Sequence, residues 1–248
     1  MRKESIAESA CVLLGEDRAP VWLIQPVDDH DLAGIQREYD AIRQQAGEES
    51  FLLIALPVSQ WNRDLSPWEA PPVFGAESFG DGAVETLRLI TDRLIPALRR
   101  ETGGSAGRRI YLGGYSLAGL FALWAGYVSG AFSGVAAVSP SVWFPGWEDF
   151  AARRMPHAGA VYLSLGDREE RTRNPVMARV GDRIRAQHAL LTEQRVPCAL
   201  EWNPGNHFKD PDLRTAKGFA WLIRHAGEAS SRVERRASET ESRDLNVD

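Results

Sequence analysis

Two cysteines in 248 residues, Cys11 and Cys198, are too few and too far apart for a disulfide framework or a clustered metal site. They imply free, buried thiols and a cytoplasmic setting. A basic surplus is also missing. With 29 Lys and Arg against 34 Asp and Glu, the formal charge is -5, which leaves no cationic footprint for nucleic acid or an anionic membrane. Neither partner is expected. No apolar run approaches the roughly 20 residues that cross a bilayer. The opening "MRKESIAESACVLLGEDRAP" lacks an h-region and cleavage site, so "ACVLL" is read as a short strand of the fold. There is no internal repeat, and no motif calls for a cofactor or a metal.

What the chain has is alternation. Hydrophobic residues make up 44% of it, enough for a large core, and the length suits a single α/β domain. Short apolar runs alternate with segments of helical period, the pattern of a mostly parallel central sheet with helices on both faces. "PVWLIQPV" and "SFLLIALPV" read as strands, separated by a helix with the stripe Leu32, Ile35, Tyr39 and Ile42. A long segment rich in Pro, Gly and aromatics follows. A helix over roughly Ala83 to Glu101 carries Leu87, Ile90, Leu94 and Leu98, and Pro96 is expected to kink or tighten its last turn. Next come the strand "RRIYLGGYS", the helix "LAGLFALWAGYV", and the apolar strands "SGVAAVSPSVWF" and "GAVYLSLGD". A helix with Met177, Val180, Ile184 and Leu191 leads to a last strand "VPCALEWN" and a closing helix from about Pro211 to His225. Residues 1-227 are read as one domain. The remainder, 228-248, is too charged and too poor in large apolar residues to offset its ordering, and reads as a disordered tail.

Within "YLGGYSLAGLFALW" one serine stands among glycines and alanine between a strand and a helix. Gly114-Tyr115-Ser116-Leu117-Ala118, followed by Gly119, has the form of a nucleophile elbow, in which small neighbours let the serine turn sharply and project above the sheet. The helix N-terminus and the free N–H of Leu117 then favour negative charge developing on a substrate oxygen.

A serine hydroxyl needs a base, and the base needs an orienting partner; on this kind of scaffold they follow in the order serine, acid, histidine. Past the strands that follow Ser116 lie His188, in mid-helix, His225, near a helix C-terminus, and His207. Only His207 sits in a Gly- and Pro-bearing loop, "NPGNHFKDP", just after a strand, so it is the candidate general base. The acid is expected after the preceding strand, where "YLSLGDREE" offers Asp167, Glu169 and Glu170, and spacing does not choose among them. The second oxyanion donor is expected in the early loop "IQPVDDHD"; Pro26 has no N–H, which leaves Val27 or Asp28. His30 and the neighbouring aspartates read as helix-cap and surface residues.

Together, "GGYSLAG", "AVSPSVWF", "SLGDREERTRNPVM" and "GNHFKDPDLRTAKGFAWL" resemble the esterase branch of the α/β-hydrolases, which includes siderophore trilactone esterases, feruloyl-type esterases and S-formylglutathione hydrolases. The likeness spans about Ala10 to Ala226. It implies the α/β-hydrolase fold, and the chain itself shows no helical lid insertion after the "SPSVWF" strand, so no large lid domain is expected. It also favours Glu169, the last residue of the Gly166-Asp167-Arg168-Glu169 motif, as the acid. The chain departs from the family by carrying Gln25-Pro26 where an Asp-Gly pair is common, and it is expected to lack the first strands of the full eight-stranded sheet.

The function implied is a serine carboxylic-ester hydrolase acting through an acyl-enzyme, with Ser116, His207 and Glu169 as triad and Leu117 and Val27 as oxyanion donors. Its partner is a small-molecule ester. Trp61, Trp68, Trp143 and Trp147 lie on segments expected at the mouth of the site; Trp61 and Trp143 are the candidates for holding an aromatic or siderophore-like acyl group, against the alternative that these rings close the core. Arg63 and Asp64 read as a loop-structuring pair. Two rivals use the same scaffold: an acyltransferase, separated by product analysis with acceptor alcohols, and a binding protein without chemistry. Oligomeric state is not legible.

Overall fold

The structure, a computed structural model, describes residues 1–73, 75–102 and 107–225. The expected tail, 228-248, lies outside the described residues.

The apolar runs become eight strands of one sheet: β1 (Arg2–Ile6), β2 (Ser9–Gly15), β3 (Val21–Val27), β4 (Phe51–Pro57), β5 (Arg109–Tyr115), β6 (Gly134–Val138), β7 (Val161–Gly166) and β8 (Cys198–Asn203), in the order β1-β2-β4-β3-β5-β6-β7-β8. β1 pairs with β2, and β2 with β4, antiparallel; every later pairing is parallel. The expectation that the first strands were missing is therefore wrong. The segment "RKESI" was passed over because it is charged and sits at the sheet edge, where alternate side chains face solvent and no apolar run is needed.

The helices are α1 (Asp29–Gln45), α2 (Trp61–Asp64), α3 (Ala83–Arg88), α4 (Ile95–Glu101), α5 (Leu117–Val128), α6 (Trp147–Ala152), α7 (Val180–Glu193) and α8 (residues 211–225). Two cores form, one on each face of the sheet. Ile35 and Ile42 of α1 and Phe219, Leu222 and Ile223 of α8 cover one face, while α3 to α5 and α7 cover the other. Period-two alternation feeds both: Leu52, Ile54 and Leu56 of β4 point to one core, Phe51, Leu53 and Ala55 to the other. That is why these strands read as unbroken apolar runs. α5 is buried from Leu117 to Tyr127, as its all-round apolar sequence requires.

α3 and α4 form one rod joined by a π-helical turn, Leu89–Leu94. Pro96 lacks the N–H that would bond back to Asp92, and its ring crowds that carbonyl. The helix widens just ahead of the proline, with the Ile95 N–H donating to the Ile90 carbonyl, instead of tightening after it. "SGVAAVSPSVWF" is strand only to Val138; Ser139 has a φ of 43° and the chain turns away from the sheet there. Between β6 and β7 stands only the short α6. Cys11 is buried as expected, but Cys198 on β8 is half-buried.

Close approach explains the glycines flanking β5 and α5. A Cβ on Gly114 would lie 2.6 Å from the Cβ of Ala118, and one on Gly119 would lie 2.9 Å from the carbonyl oxygens of Gly114 and Val138. Backbone cannot step aside as a flexible side chain does. Gly119→Ala is therefore expected to lower the thermal unfolding midpoint by about 3–10 °C. Gly130→Ala, whose methyl meets nothing within 4 Å, is the calorimetric control and is expected to change it by about 1 °C or less.

Candidate active site

β5 ends at Tyr115 and α5 starts at Leu117, so the whole reversal falls on Ser116. Its φ of 57° and ψ of -117° are strained for an L-residue, at a cost of about 1–3 kcal/mol. Three hydrogen bonds hold it there: the Ser116 N–H donates to the Val138 carbonyl (3.0 Å), and its own carbonyl accepts from Leu120 N–H (3.0 Å) and Ser141 N–H (3.1 Å). The hydroxyl consequently stands off the C-terminal edge of the sheet, at the start of a helix whose first N–H groups have no intrahelical acceptors.

His207 lies in the loop between β8 and α8. Its Nδ1 is 2.7 Å from Glu169 Oε2 and its Nε2 is 3.1 Å from Ser116 Oγ. With a carboxylate on Nδ1, the proton sits on that nitrogen, leaving Nε2 to accept from the serine hydroxyl. The loop is tied to the segment carrying the acid at several points: Gly205 N–H donates to Asp167 Oδ1 (2.7 Å), Arg168 N–H to the Gly205 carbonyl (3.1 Å), and Asp167 N–H to the Asn203 carbonyl (2.8 Å).

The three candidate acids are separated by what they touch. Asp167 braces the histidine loop and Glu170 pairs with Arg185 on α7. Glu169 alone meets the imidazole, and it is 8% exposed. Its other oxygen, Oε1, accepts from Ser139 Oγ (2.7 Å), Gly166 N–H (2.7 Å) and Arg214 Nη1 (2.9 Å). Burial pushes this carboxyl up, but His207, Ser139 and the Gly166 amide outweigh it and hold it below the ordinary carboxylate value.

Arg214 and Tyr115 were not picked out from the sequence. Arg214, 3% exposed, donates to Glu169, to the Tyr115 hydroxyl (3.0 Å), and through Nη2 to the carbonyls of Pro204 (3.1 Å) and Asn206 (3.0 Å). Tyr115 donates in turn to the His207 carbonyl (2.7 Å). Burial, with Glu169 nearby, pushes the Tyr115 phenol up to about 12, so it stays a neutral donor. One signal pointed to Arg214: it is a charged residue within the buried stripe of α8.

The early loop gives a mixed result. Asp28 caps α1, accepting from Asp31 N–H (2.8 Å), and His30 is exposed, as expected. Val27 is fully buried at the end of β3, with its carbonyl accepting from Val58 N–H (2.9 Å). Among the tryptophans, Trp147 belongs to the core, 1% exposed with its Nε1 donating to Gln187 (2.9 Å). Trp68 packs on Phe144 and Phe150 and donates to the Pro145 carbonyl. Trp61 is half-buried against the core. Trp143, in contrast, lines a cavity of about 210 Å³ together with His207, Glu169 and Phe208. Arg63 and Asp64 pair at 4.0 Å beneath the turn at Gly80 and Gly82, a structural pair as expected.

Beyond Phe208, which is 85% exposed, a larger polar cavity of about 500 Å³ opens between α1 and α8 and includes Asp31, Glu38 and Asp212 but not His207. Among the described residues no group of three or more His, Cys, Asp or Glu is arranged to hold a metal, and no helix is long and apolar enough to cross a membrane.

No family model matches the sequence, and no curated protein matches it. Solved structures do. An IroE-like serine hydrolase from Shewanella oneidensis superposes with a TM-score of 0.71 at 16% identity, over 90% of this chain and 80% of that one. The siderophore hydrolase EstB from Aspergillus nidulans gives 0.68 at 17% identity over 89% and 93%, and EstA from the same organism 0.64 at 23% identity over 82% of each. With its antiparallel first strands, parallel remainder and sharp turn after β5, the chain has the α/β-hydrolase fold.

Proposed function

We propose that this protein is a serine carboxylic-ester hydrolase working through an acyl-enzyme. The observation that carries the reading is the position of His207, in hydrogen-bond reach of Ser116 on one ring nitrogen and of a buried carboxylate on the other.

In the first half-reaction Ser116 Oγ bonds to the ester carbonyl carbon while its proton passes to His207 Nε2, and the carbonyl electron pair moves onto oxygen. The N–H of Leu117, at the start of α5, holds that oxyanion, a donor of this kind being worth about 3 kcal/mol of transition-state stabilisation. The tetrahedral adduct collapses, the C–O bond to the alcohol breaks, and the leaving oxygen takes the proton from Nε2. Water then gives a proton to Nε2 and its oxygen attacks the acyl carbon; the acid departs as Ser116 recovers its proton. Glu169 fixes the Nδ1–H tautomer and stabilises the transient imidazolium. Trp143 and Phe208 beside His207 suit a flat acyl or alkoxy group, and two of the similar structures are siderophore hydrolases while another is a ferulic acid esterase. Two unpaired thiols, on β2 and β8 near opposite ends of the sheet, fit a reducing, cytoplasmic setting.

Ser116→Ala is expected to lower hydrolysis of para-nitrophenyl esters by about 10³-fold or more, because serine and base act as one unit, while the circular dichroism spectrum is unchanged. Unaltered turnover in that variant refutes the reading.

Glu169→Gln is expected to lower kcat by about 10³–10⁴-fold through loss of the correct tautomer. It also tests the electrostatics. A carboxyl held below its unfolded value of about 4.3 contributes stability that is fully present above that pH and lost as pH falls through the folded value. The gap in unfolding midpoint between wild type and Glu169→Gln, measured from about pH 7 to pH 3, is therefore expected to narrow on the acid side.

A further inference from the structure

The cavity beside His207 has a charge that the mechanism does not use. Its walls include Arg168 and Arg171, both exposed, together with Trp143 and Phe208. Among the described residues neither guanidinium makes a hydrogen bond or an ion pair. The carboxylates close to them in sequence are already engaged: Asp167 by the Gly205 N–H, Glu169 by His207 and Arg214, Glu170 by Arg185. Of the other described arginines some, such as Arg37, Arg109 and Arg183, are bound to a carboxylate and others, such as Arg43 and Arg88, are not, so what sets Arg168 and Arg171 apart is their place on the wall of this cavity.

Two unneutralised guanidiniums in an aromatic-lined cavity beside His207 form a recognition element for a planar anion. Guanidinium presents paired donors that match a carboxylate or an ionised phenol.

We infer that the substrate is an anionic ester, and that Arg168 and Arg171 read its charge while Trp143 and Phe208 hold its apolar or aromatic body. The inference rests on the esterase reading above and adds the substrate's charge to it. The negative group sits on either the acyl or the alcohol portion, and both sources present the same chemistry to the two arginines.

The test uses matched pairs. For the acyl side, para-nitrophenyl hemiglutarate is compared with para-nitrophenyl pentanoate; for the alcohol side, para-acetoxybenzoate with its methyl ester. The wild-type protein is expected to prefer the anionic member of at least one pair. In Arg168→Gln/Arg171→Gln the ratio of kcat/KM, anionic over neutral, is expected to fall about tenfold for that pair, and its dependence on salt to flatten. Arg43→Gln, a single charge removed from the last turn of α1, keeps the wild-type ratio. The pair that responds identifies which side carries the charge. A ratio unchanged by the double substitution, or a wild-type preference for the neutral member in both pairs, overturns the inference. Calorimetric binding of the same four compounds to Ser116→Ala separates this from the reaction itself. Tighter binding of an anionic member that disappears with the two arginines sustains the inference even if hydrolysis is absent, in which case the esterase reading alone fails.

Discussion

One buried carboxylate holds the site together. Glu169 receives donors from four separate stretches of chain: the end of β7 through Gly166, the turn after β6 through Ser139, the loop after β8 through His207, and α8 through Arg214. Removing one partner from such a buried pair typically costs about 3–5 kcal/mol, because the remaining charge is left uncompensated. The pairing of Arg214 with Glu169 is thus more than local support. Arg214 also grips the carbonyls of Pro204 and Asn206, so the same guanidinium that neutralises the acid fixes the loop that presents the imidazole.

The parallel sheet makes this convergence possible. In parallel strands the C-terminal ends lie at one edge, and the loops after β5, β6, β7 and β8 all emerge there. Ser116, Ser139, Glu169 and His207 are separated by as much as 91 residues in sequence yet occupy consecutive positions along that edge. The strained turn at Ser116 is affordable because β5 and α5 are buried on all sides, and because Gly114 and Gly119 let the two elements close around it.

Much of this was legible in the residues. α5 was bounded correctly because its apolar run starts after a serine between glycines and stops at Ser129. The parallel strands showed themselves because strands covered on both faces are apolar at most positions. β1 did not, since an edge strand needs only alternate apolar residues and "RKESI" has a single one facing in. Ser116 and His207 were readable from small-residue and loop context, whereas the choice among Asp167, Glu169 and Glu170 needed either family likeness or coordinates. Three adjacent carboxylates in one loop differ only in where the backbone points them. Arg214 and Tyr115 were missed for a related reason: their role lies in contacts across 45 and 92 residues that no local pattern encodes.

The central claim is that Ser116 is nucleophilic because His207 takes its proton. Labelling the folded protein with a fluorophosphonate and locating the adduct by mass spectrometry tests it directly. The account predicts a single adduct on Ser116 in the wild type and its loss in His207→Ala, where the serine is still present. Equal labelling of Ser116 in both proteins, or an adduct elsewhere in the chain, would contradict it.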